Sequence, residues 1–332
     1  MTAPAPEPGR QARALWIVAP GRAELREETL PPPAPDQALV RCRASALSRG
    51  TERLVLEGRV PPSQHAAMRA PLMAGEFPFP VKYGYCAMGV VEAGPPALQG
   101  RRVFVLHPHQ DRFLAPASMC IPVPEAVPDH RAVLAANMET ALNILWDARP
   151  LPGERVLVIG AGLVGLLVAA LLARMPGLAP VLVDLDPGRA ALAAAIGARF
   201  ALPEAAPGEQ ELIIHASASA AGLRLALERA AFEARIVEAS WHGDRVVPLP
   251  LGEAFHARRL SLLSSQVGAV APAMRGRRSH AERLALALAL LEDPRLDALC
   301  APVAGFAELP ERLPGLLAPG AAPPPCPVIT YP

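Results

Sequence analysis

The motif with the clearest chemistry in this sequence is Gly160-Ala161-Gly162-Leu163-Val164-Gly165. It follows an apolar stretch at 155–159 that predicts a strand, and it opens a longer apolar stretch that predicts a helix. In such a turn the first glycine permits the tight bend, the second lets the backbone approach a pyrophosphate, and the third lets helix and strand pack closely. The helix N-terminus adds free N–H groups for the phosphates. The sequence therefore predicts a dinucleotide-binding turn; a glycine turn without a ligand is the alternative.

An acidic residue lies where such a turn needs one. Asp184 ends the next predicted strand, 24 positions after Gly160, and can accept hydrogen bonds from both ribose hydroxyls of NAD. The same carboxylate would repel the 2′-phosphate of NADP. Arg189 follows five residues later, where it could cover the adenosine end. We therefore expect NAD rather than NADP as the cofactor.

Polar residues also follow the later predicted strands of this region. Ligands of open α/β sheets bind at the carboxyl ends of the strands. We therefore expect further cofactor contacts from Ser217, Ser240 and Ser265. Trp241 either forms a wall of the substrate pocket or packs as an ordinary core residue.

The chain contains one lysine, Lys82, among 32 lysines and arginines, and it lies beside two of the three tyrosines, Tyr83 and Tyr85. Arginine replaces lysine easily on a solvated surface and poorly where a compact ammonium is needed. The position of this lysine therefore indicates a specific role, although survival by chance is an equal alternative.

Composition narrows the class of protein. A chain of 332 residues, 52% hydrophobic and with a net charge of +1, suggests about two domains and gives no reason to expect a nucleic-acid partner. The five cysteines are scattered without metal or redox spacing, which favours reduced thiols. Residues 1–13 lack the apolar region of a signal peptide. The longest apolar run, 163–173, is too short to span a bilayer. We expect a cytoplasmic protein with no membrane segment.

The predicted elements change character along the chain. Residues 12–55 predict strands, and the first 130 residues are mainly β, whereas strands and helices alternate from residue 155 onward. Such alternation favours a parallel sheet covered by helices. A helix at 280–291 and a proline-rich tail with a strand at 327–331 follow. The predicted fold class is therefore α/β, a Rossmann-type doubly wound parallel sheet joined to a mainly β domain.

This organisation resembles the medium-chain dehydrogenase/reductase superfamily, whose members include the zinc-type alcohol dehydrogenases. The resemblance rests on the segments 44–52 and 84–94 and on the glycine turn with Asp184. It implies a GroES-like catalytic domain at 1–135 with a return segment at 276–332, and a Rossmann domain at 136–275. It also implies an oxidoreductase that forms a homodimer or homotetramer, with 260–266 as the joining edge strand.

The resemblance does not extend to the zinc ligands. Three positions match the family's catalytic zinc ligands. The first holds Ser48, the second holds Tyr85 and the third falls near Ala136, and none of these residues is a good zinc ligand. The four-cysteine structural lobe is also missing. We therefore predict that the chain binds no metal and resembles a zinc-lacking branch of the superfamily. That branch includes the bacteriochlorophyllide dehydrogenases, to which residues 48–52 are locally similar. His107 and His109 are expected to be surface or hydrogen-bonded residues.

Without zinc, protein donors must stabilise the charge that develops on a carbonyl oxygen. Tyr85 could donate to that oxygen, and Lys82 could lower the tyrosine pKa or contact the oxygen itself. Ser48 and Thr51 could relay a proton to solvent. The alternatives are that Tyr85 only packs, that Ser48 caps a turn, and that Glu52 bonds backbone amides of the same loop.

The segment 137–143 matches the helix that lies beside the nicotinamide in the resembled family. The resemblance implies that Thr140 faces the nicotinamide and that Asn137 and Glu139 line the substrate pocket. A buried amide or carboxylate needs partners, which a ligand could supply. The alternative for Asn137 is a helix cap.

Together these observations predict a zinc-independent, NAD-dependent oxidoreductase acting on an alcohol/carbonyl pair of a small-molecule substrate. Two alternatives remain open: an NADPH-dependent quinone or enone reductase, against which Asp184 argues, and a nucleotide-binding protein without turnover. The sequence does not identify the substrate.

Overall fold

A computed structural model describes residues 10–332, so most of the segment used to argue against a signal peptide lies outside the described residues. The chain divides into two compact units. The first comprises the chain up to Ala136 together with Cys300–Pro332, and the second comprises Asn137–Leu299.

Strands account for most of the first unit and alternate with helices in the second. In chain order the strands are β1 Arg10–Ala19, β2 Arg22–Leu30, β3 Gln37–Ala46, β4 Ala74–Gly75, β5 Val81–Lys82, β6 Ala87–Ala93, β7 Arg102–Val105, β8 Arg112–Pro116, β9 Ile121–Pro122, β10 Val156–Ile159, β11 Val181–Val183, β12 Arg199–Ala201, β13 Gln210–His215, β14 Ala230–Glu238, β15 Ser261–Ser264, β16 Cys300–Gly305 and β17 Cys326–Thr330. The α-helices are α1 Arg49–Leu56, α2 Asp129–Ala132, α3 Ala135–Ala148, α4 Leu163–Leu172, α5 Ala190–Ala195, α6 Ala220–Arg229, α7 His280–Leu290 and α8 Leu309–Leu317.

The first unit contains two sheets. A four-stranded sheet has the order β2-β1-β5-β4, and a seven-stranded sheet has the order β16-β17-β3-β6-β7-β9, with β8 also paired to β3. Strand β3 alternates along its length, so that Ala38, Val40 and Cys42 face a core shared with Val91 and Phe113. The predicted mainly β character is confirmed.

Helix α1 corrects the prediction that residues 12–55 form strands only. It begins after Ser48, and Glu52 in its first turn accepts a hydrogen bond from the Ser48 N–H at 2.7 Å. That bond satisfies one of the free donors at the helix start. The helix therefore fixes the backbone of Ser48, which is one of the predicted site residues.

The second unit is built on a fully parallel six-stranded sheet with the order β12-β11-β10-β13-β14-β15. Counted within this unit, the order is 3-2-1-4-5-6, which is the order of dinucleotide-binding Rossmann sheets. The central strand β10 is buried along its whole length, because helices cover both faces. The predicted α/β fold class is confirmed.

Helix α7 belongs to the second unit, which differs from the predicted return segment at 276–332. Its N-terminus carries a capping box between Ser279 and Glu282. Its buried Arg283 donates to Glu139 at 2.9 Å and to Asn143 at 2.6 Å, both on α3. These contacts hold residues 276–299 against the second unit, so the chain returns to the first unit at Cys300.

Helix α8 lies in the tail that the sequence analysis described only as proline-rich. Two prolines disfavour a helix prediction there, but one of them occupies the first turn, where proline is tolerated. Leu309, Leu313 and Leu317 repeat at helical spacing and are buried. Within residues 10–332, no helix combines the length and apolar character needed to cross a bilayer.

Candidate functional site

The glycine turn joins β10 to α4, and each of its glycines has a different surrounding. Gly160 has φ +109°, and a Cβ there would lie 2.8 Å from the Cα of Ser217. A Cβ at Gly165 would overlap the carbonyl oxygen of Gly160. A Cβ at Gly162 would meet nothing within 4 Å. Packing therefore requires the outer two glycines, whereas the middle one faces open space, which suits the close approach of a ligand.

Asp184 ties the glycine turn to the end of β11. Its Oδ2 accepts a hydrogen bond from the Ala161 N–H at 2.7 Å, and its Oδ1 accepts one from the Asp186 N–H at 3.0 Å. Each carboxylate oxygen has a second lone pair. The carboxylate can therefore hold the turn and still accept hydrogen bonds from a ligand.

A cavity of about 590 Å³ lies against this turn, within the size range of ligand sites. The residues that argue for a nucleotide are Gly160, Gly162, Asp184, Arg189 and Ser217, and all of them line it. The Arg189 Nε lies 3.2 Å from Asp186. Leu163 and Val164 begin α4 and are outside the lining as described for residues 10–332.

Ser217 is held by two residues that the sequence analysis did not identify. Its Oγ lies 2.6 Å from Nε2 of His215, and Nδ1 of that ring lies 2.6 Å from Oε2 of Glu238. His215 and Glu238 are direct neighbours on β13 and β14. They lie 23 residues apart in the chain, so only the strand register reveals the pair.

The other predicted contacts near these strand ends have partners of their own. Ser240 Oγ accepts a hydrogen bond from the Ala218 N–H at 3.0 Å, and Ser265 Oγ donates to Asp147 at 2.7 Å. Trp241 is half-buried just after β14. None of these three residues is in the lining of the cavity at the glycine turn, within the described chain.

In the first unit, the structure brings Tyr85, Ser48 and Thr51 together. The Tyr85 hydroxyl donates a hydrogen bond to Ser48 Oγ, and a further side-chain hydrogen bond joins Tyr85 and Thr51. Burial raises the pKa of Tyr85, and the nearby Cys86 and Glu52 add to this shift. The phenol therefore keeps its proton at neutral pH and acts as a donor.

A buried polar chain supports Ser48 from behind. Glu52 accepts a hydrogen bond from the Ser48 N–H, which agrees with the alternative that it bonds backbone amides of its own loop. Its Oε2 lies 3.0 Å from Nε2 of His109. Nδ1 of His109 lies 2.7 Å from Oγ of Ser45. His109 and His107 are both buried and hydrogen-bonded, not surface residues. Sequence alone gave no sign that His109 and Glu52, 57 positions apart, form a pair.

Lys82 does not have the role predicted for it. Its ammonium lies 3.0 Å from both carboxylate oxygens of Glu28 and 3.0 Å from the side-chain oxygen of Gln110. Burial raises the pKa of Tyr85, and Lys82, whose ammonium bonds to Glu28 and Gln110, is not among the groups that shift it. The compact ammonium instead holds β5 to β2 from a buried position.

The positions that match the family's zinc ligands do not suit zinc in this chain. Ser48 and Tyr85 bond to each other through hydroxyl groups, whereas zinc in proteins prefers thiolate, imidazole or carboxylate. Cys86 is adjacent and buried, but it is displaced from the ligand positions of the resembled family. Glu52 is committed to Ser48 and His109.

Helix α3 carries the residues predicted to line the substrate pocket. Glu139 is buried, and it receives its partner from Arg283 rather than from a ligand. Burial raises the pKa of Glu139, and the guanidinium of Arg283 opposes that rise. Asn137 is buried in the first turn of the same helix, and Thr140 is half-buried one turn later. Arg283 therefore supplies the partner that a ligand could have given Glu139.

No protein-family model matches the chain. Part of it is 31% identical, over 153 residues, to a zinc-type alcohol dehydrogenase-like protein of Haemophilus influenzae. The match covers 42% of this chain and 44% of that protein, so the chain matches less than half the length of this relative.

Solved structures match nearly the whole chain. A protein described as a zinc-binding dehydrogenase of Sinorhizobium meliloti, bound to NADP, is 17% identical with a TM-score of 0.76, over 97% of this chain and 99% of its own. A short chain alcohol dehydrogenase of Escherichia coli CFT073, complexed with NADH, has the same identity and TM-score and is covered over 100% of its length. L-Idonate 5-dehydrogenase of Escherichia coli K-12 is 15% identical with a TM-score of 0.78, over 97% of this chain and 99% of its own. At these identities the likeness concerns the fold.

Proposed function

We propose that this chain, which has the fold of the medium-chain dehydrogenase/reductase superfamily, is a zinc-independent, NAD-dependent oxidoreductase acting on an alcohol/carbonyl pair. The cavity at the glycine turn is the observation that supports this proposal most directly. It lies at the carboxyl ends of a parallel sheet of order 3-2-1-4-5-6, where such sheets bind dinucleotides. Asp184 and the open space at Gly162 both face it.

A nicotinamide dinucleotide would supply the two-electron chemistry, by accepting or giving up a hydride. The protein's contribution to binding comes from identifiable atoms. The open backbone at Gly162 and the start of α4 suit the pyrophosphate, and the free lone pairs of Asp184 suit ribose hydroxyls. Arg189 also lines the cavity, where its guanidinium forms an ion pair with Asp186.

The proton chemistry belongs to Tyr85 and its partners. A phenol whose pKa is raised by burial donates a hydrogen bond to a developing oxyanion without losing its proton beforehand. In the structure the single O–H of Tyr85 donates to Ser48 Oγ, so it would have to turn from Ser48 to the oxyanion when substrate binds. The hydroxyls of Ser48 and Thr51 could then donate to the phenol oxygen. The poor fit of these groups to zinc supports chemistry that depends on hydrogen-bond donors.

Cofactor preference follows from charge in the cavity. Asp184 and Asp186 line it and disfavour a 2′-phosphate, which supports NAD. Arg189 and Arg224 also line it, and one structural relative holds NADP, which favours the alternative of an NADPH-dependent quinone or enone reductase. Cytoplasmic location and a homodimer or homotetramer complete the proposal.

Turnover tests the proposal. The purified full-length protein is mixed with reduced or oxidised nicotinamide cofactor and a panel of aldehydes, ketones, alcohols and quinones, and the absorbance of the reduced nicotinamide is followed. We expect turnover of at least one alcohol/carbonyl pair, faster with the NAD couple. Tight nucleotide binding without turnover of any member would point to a non-catalytic nucleotide-binding protein. Turnover that a chelator abolishes and zinc restores, in wild type and in His242→Ala alike, would contradict zinc independence.

A further inference from the structure

Two histidines and a carboxylate converge in the second unit, outside the Tyr85 set. His215 ends β13, Glu238 ends β14, and His242 follows in the loop after β14. His215 and Glu238 are register partners on adjacent parallel strands. One ligand atom from each of the three residues lies within 4.8 Å of the others. The strand register therefore gathers three good metal ligands at the carboxyl edge of the sheet.

The distances from Glu238 to the two histidines are close to those that one ion requires. Zinc binds imidazole nitrogen and carboxylate oxygen at about 2.0–2.2 Å, so two ligand atoms of a tetrahedral ion lie roughly 3.4 Å apart. His242 Nε2 lies 3.6 Å from Glu238 Oε2. His215 Nδ1 lies 2.6 Å from the same oxygen, as a hydrogen bond requires. Opening that pair by less than about 1 Å would make room for an ion.

His242 has an unsatisfied nitrogen at this place. Its Nε2 is buried and has no hydrogen-bond partner among the described residues, and its side chain is only 16% exposed. A buried polar atom without a partner destabilises the fold, which is why such atoms are rare. A bound cation would remove this penalty, because the nitrogen would ligate it.

The remaining polar atoms of the cluster already have the partners that a metal site needs. Without metal, Nδ1 of His215 donates to Glu238 and its Nε2 lies 2.6 Å from Ser217 Oγ. An ion at Nδ1 would displace that proton, and Nε2–H would then donate to Ser217 and orient the ring. Oε1 of Glu238 accepts a hydrogen bond from the Ser240 N–H at 2.7 Å, leaving Oε2 for the ion. These bonds orient both ligands before any metal arrives.

We propose that His215 Nδ1, Glu238 Oε2 and His242 Nε2 bind one zinc ion. Two imidazoles and one carboxylate suit zinc rather than magnesium or calcium, which prefer oxygen ligands. Three protein ligands leave a fourth position open for water or a small ligand. The residues are separate from the positions that carry zinc in the resembled family. The site therefore requires neither turnover nor the proposed function.

Zinc titration of the full-length, metal-stripped protein tests the site, with stoichiometry and affinity read by calorimetry. Wild type is expected to bind one equivalent, and His242→Ala to bind it at least about tenfold more weakly. His256→Ala is the matched control, because this histidine belongs to the same unit and is exposed. It should bind like wild type. Cobalt(II) in place of zinc should give the visible absorption of a tetrahedral ion, absent in His242→Ala.

Two results would overturn the site: no stoichiometric zinc on wild type, or equal affinity in His242→Ala and wild type. Glu238→Gln, which keeps the size of the side chain, serves if His242→Ala does not fold, and it should also lose at least about tenfold in affinity. Neither readout depends on a nucleotide or a substrate. Failure of this site is therefore distinguishable from failure of the proposed oxidoreductase function. If a chelator still lowers turnover in His242→Ala, the metal responsible is bound at another site.

Discussion

The Tyr85 hydroxyl is the group on which the proposed chemistry depends most. It is held by Ser48, whose backbone is fixed by Glu52, whose carboxylate is fixed in turn by His109. A buried network of this kind keeps a hydrogen-bond donor in one geometry. The donor is then already in place when negative charge develops on the substrate oxygen. Glu52 and His109 are therefore positioning residues for Ser48 and Tyr85.

Tyr85→Phe removes the donor and leaves the ring. We expect kcat/KM to fall at least about tenfold, or roughly 1.4 kcal/mol of barrier, with the free energy of unfolding little changed. Tyr83→Phe is the matched control, since Tyr83 is a buried neighbour whose ring contacts that of Tyr85 edge-on. Steady-state kinetics of the two variants decide the matter. Equal rates in Tyr85→Phe and wild type would remove Tyr85 from the mechanism.

His107 provides a prediction about pH. Burial lowers the pKa of His107 to about 3, whereas an unfolded histidine titrates near 6.5. Between these values the unfolded chain binds a proton that the folded chain does not. The contribution of His107 to the free energy of unfolding is therefore fully present above about pH 6.5. It falls by roughly 1.4 kcal/mol for each pH unit as the pH drops toward 3.

His107→Asn tests this, because the amide can keep the hydrogen bond to the Pro108 carbonyl without titrating. Urea unfolding at pH 7 and pH 4.5 should show a smaller loss of stability in the variant than in wild type. His130→Asn, an exposed histidine of the same unit, should lose stability as wild type does. Parallel losses in all three proteins would contradict the buried neutral state of His107.

At the scale of elements, the turn between β10 and α4 carries the nucleotide prediction. Gly162→Ala adds a methyl group to open space at a φ of −73°, which alanine adopts easily. We expect the free energy of unfolding to stay within about 0.5 kcal/mol of wild type and NADH affinity to fall about tenfold or more. The methyl would occupy the approach of the pyrophosphate.

Gly165→Ala is the contrasting variant, because its methyl would overlap the Gly160 carbonyl. We expect it to destabilise the fold by about 1–3 kcal/mol, the usual range for overpacking. Chemical unfolding and a fluorescence titration with NADH, run on both variants, separate the two effects. Loss of stability in Gly162→Ala with unchanged affinity would contradict the assignment of the open space to a ligand.

Local patterns predicted the elements well where neighbours in the chain define them. The glycine turn, β10 and the alternation after it are set by short-range spacing, and the structure contains them. Helix α8 was missed because its prolines disfavour a helix locally while three leucines bury their side chains. The predicted fold is confirmed, and the solved structures of dehydrogenases share it.

Side-chain partners were much harder to predict, because they come from distant parts of the chain. Tyr85 and Ser48 were expected together only because the resemblance aligned both with ligand positions. Glu52 with His109 and His215 with Glu238 were not expected, since only strand register and burial create these pairs. Lys82 was assigned a role from its rarity, and the structure gives it a different partner, Glu28.

For the whole molecule, the edge strand β15 bears on assembly. It ends the six-stranded sheet, and Leu262 and Leu263 on it are exposed, which leaves both backbone and apolar groups for a second copy. Leu263→Asp is expected to shift the protein from dimer or tetramer toward monomer in sedimentation velocity. Leu286→Asp, which changes an equally exposed leucine on α7, is the control and should not. A wild-type monomer would contradict the proposed assembly.

We propose that the second unit binds NAD at the glycine turn through Asp184. Fluorescence titration of the purified full-length protein with NADH and with NADPH tests it most directly. We predict that NADH binds at least about tenfold more tightly than NADPH and that Asp184→Ala narrows the difference, because the carboxylate no longer repels the 2′-phosphate. Preference for NADPH would contradict the role given to Asp184, and binding of neither nucleotide would contradict the site itself.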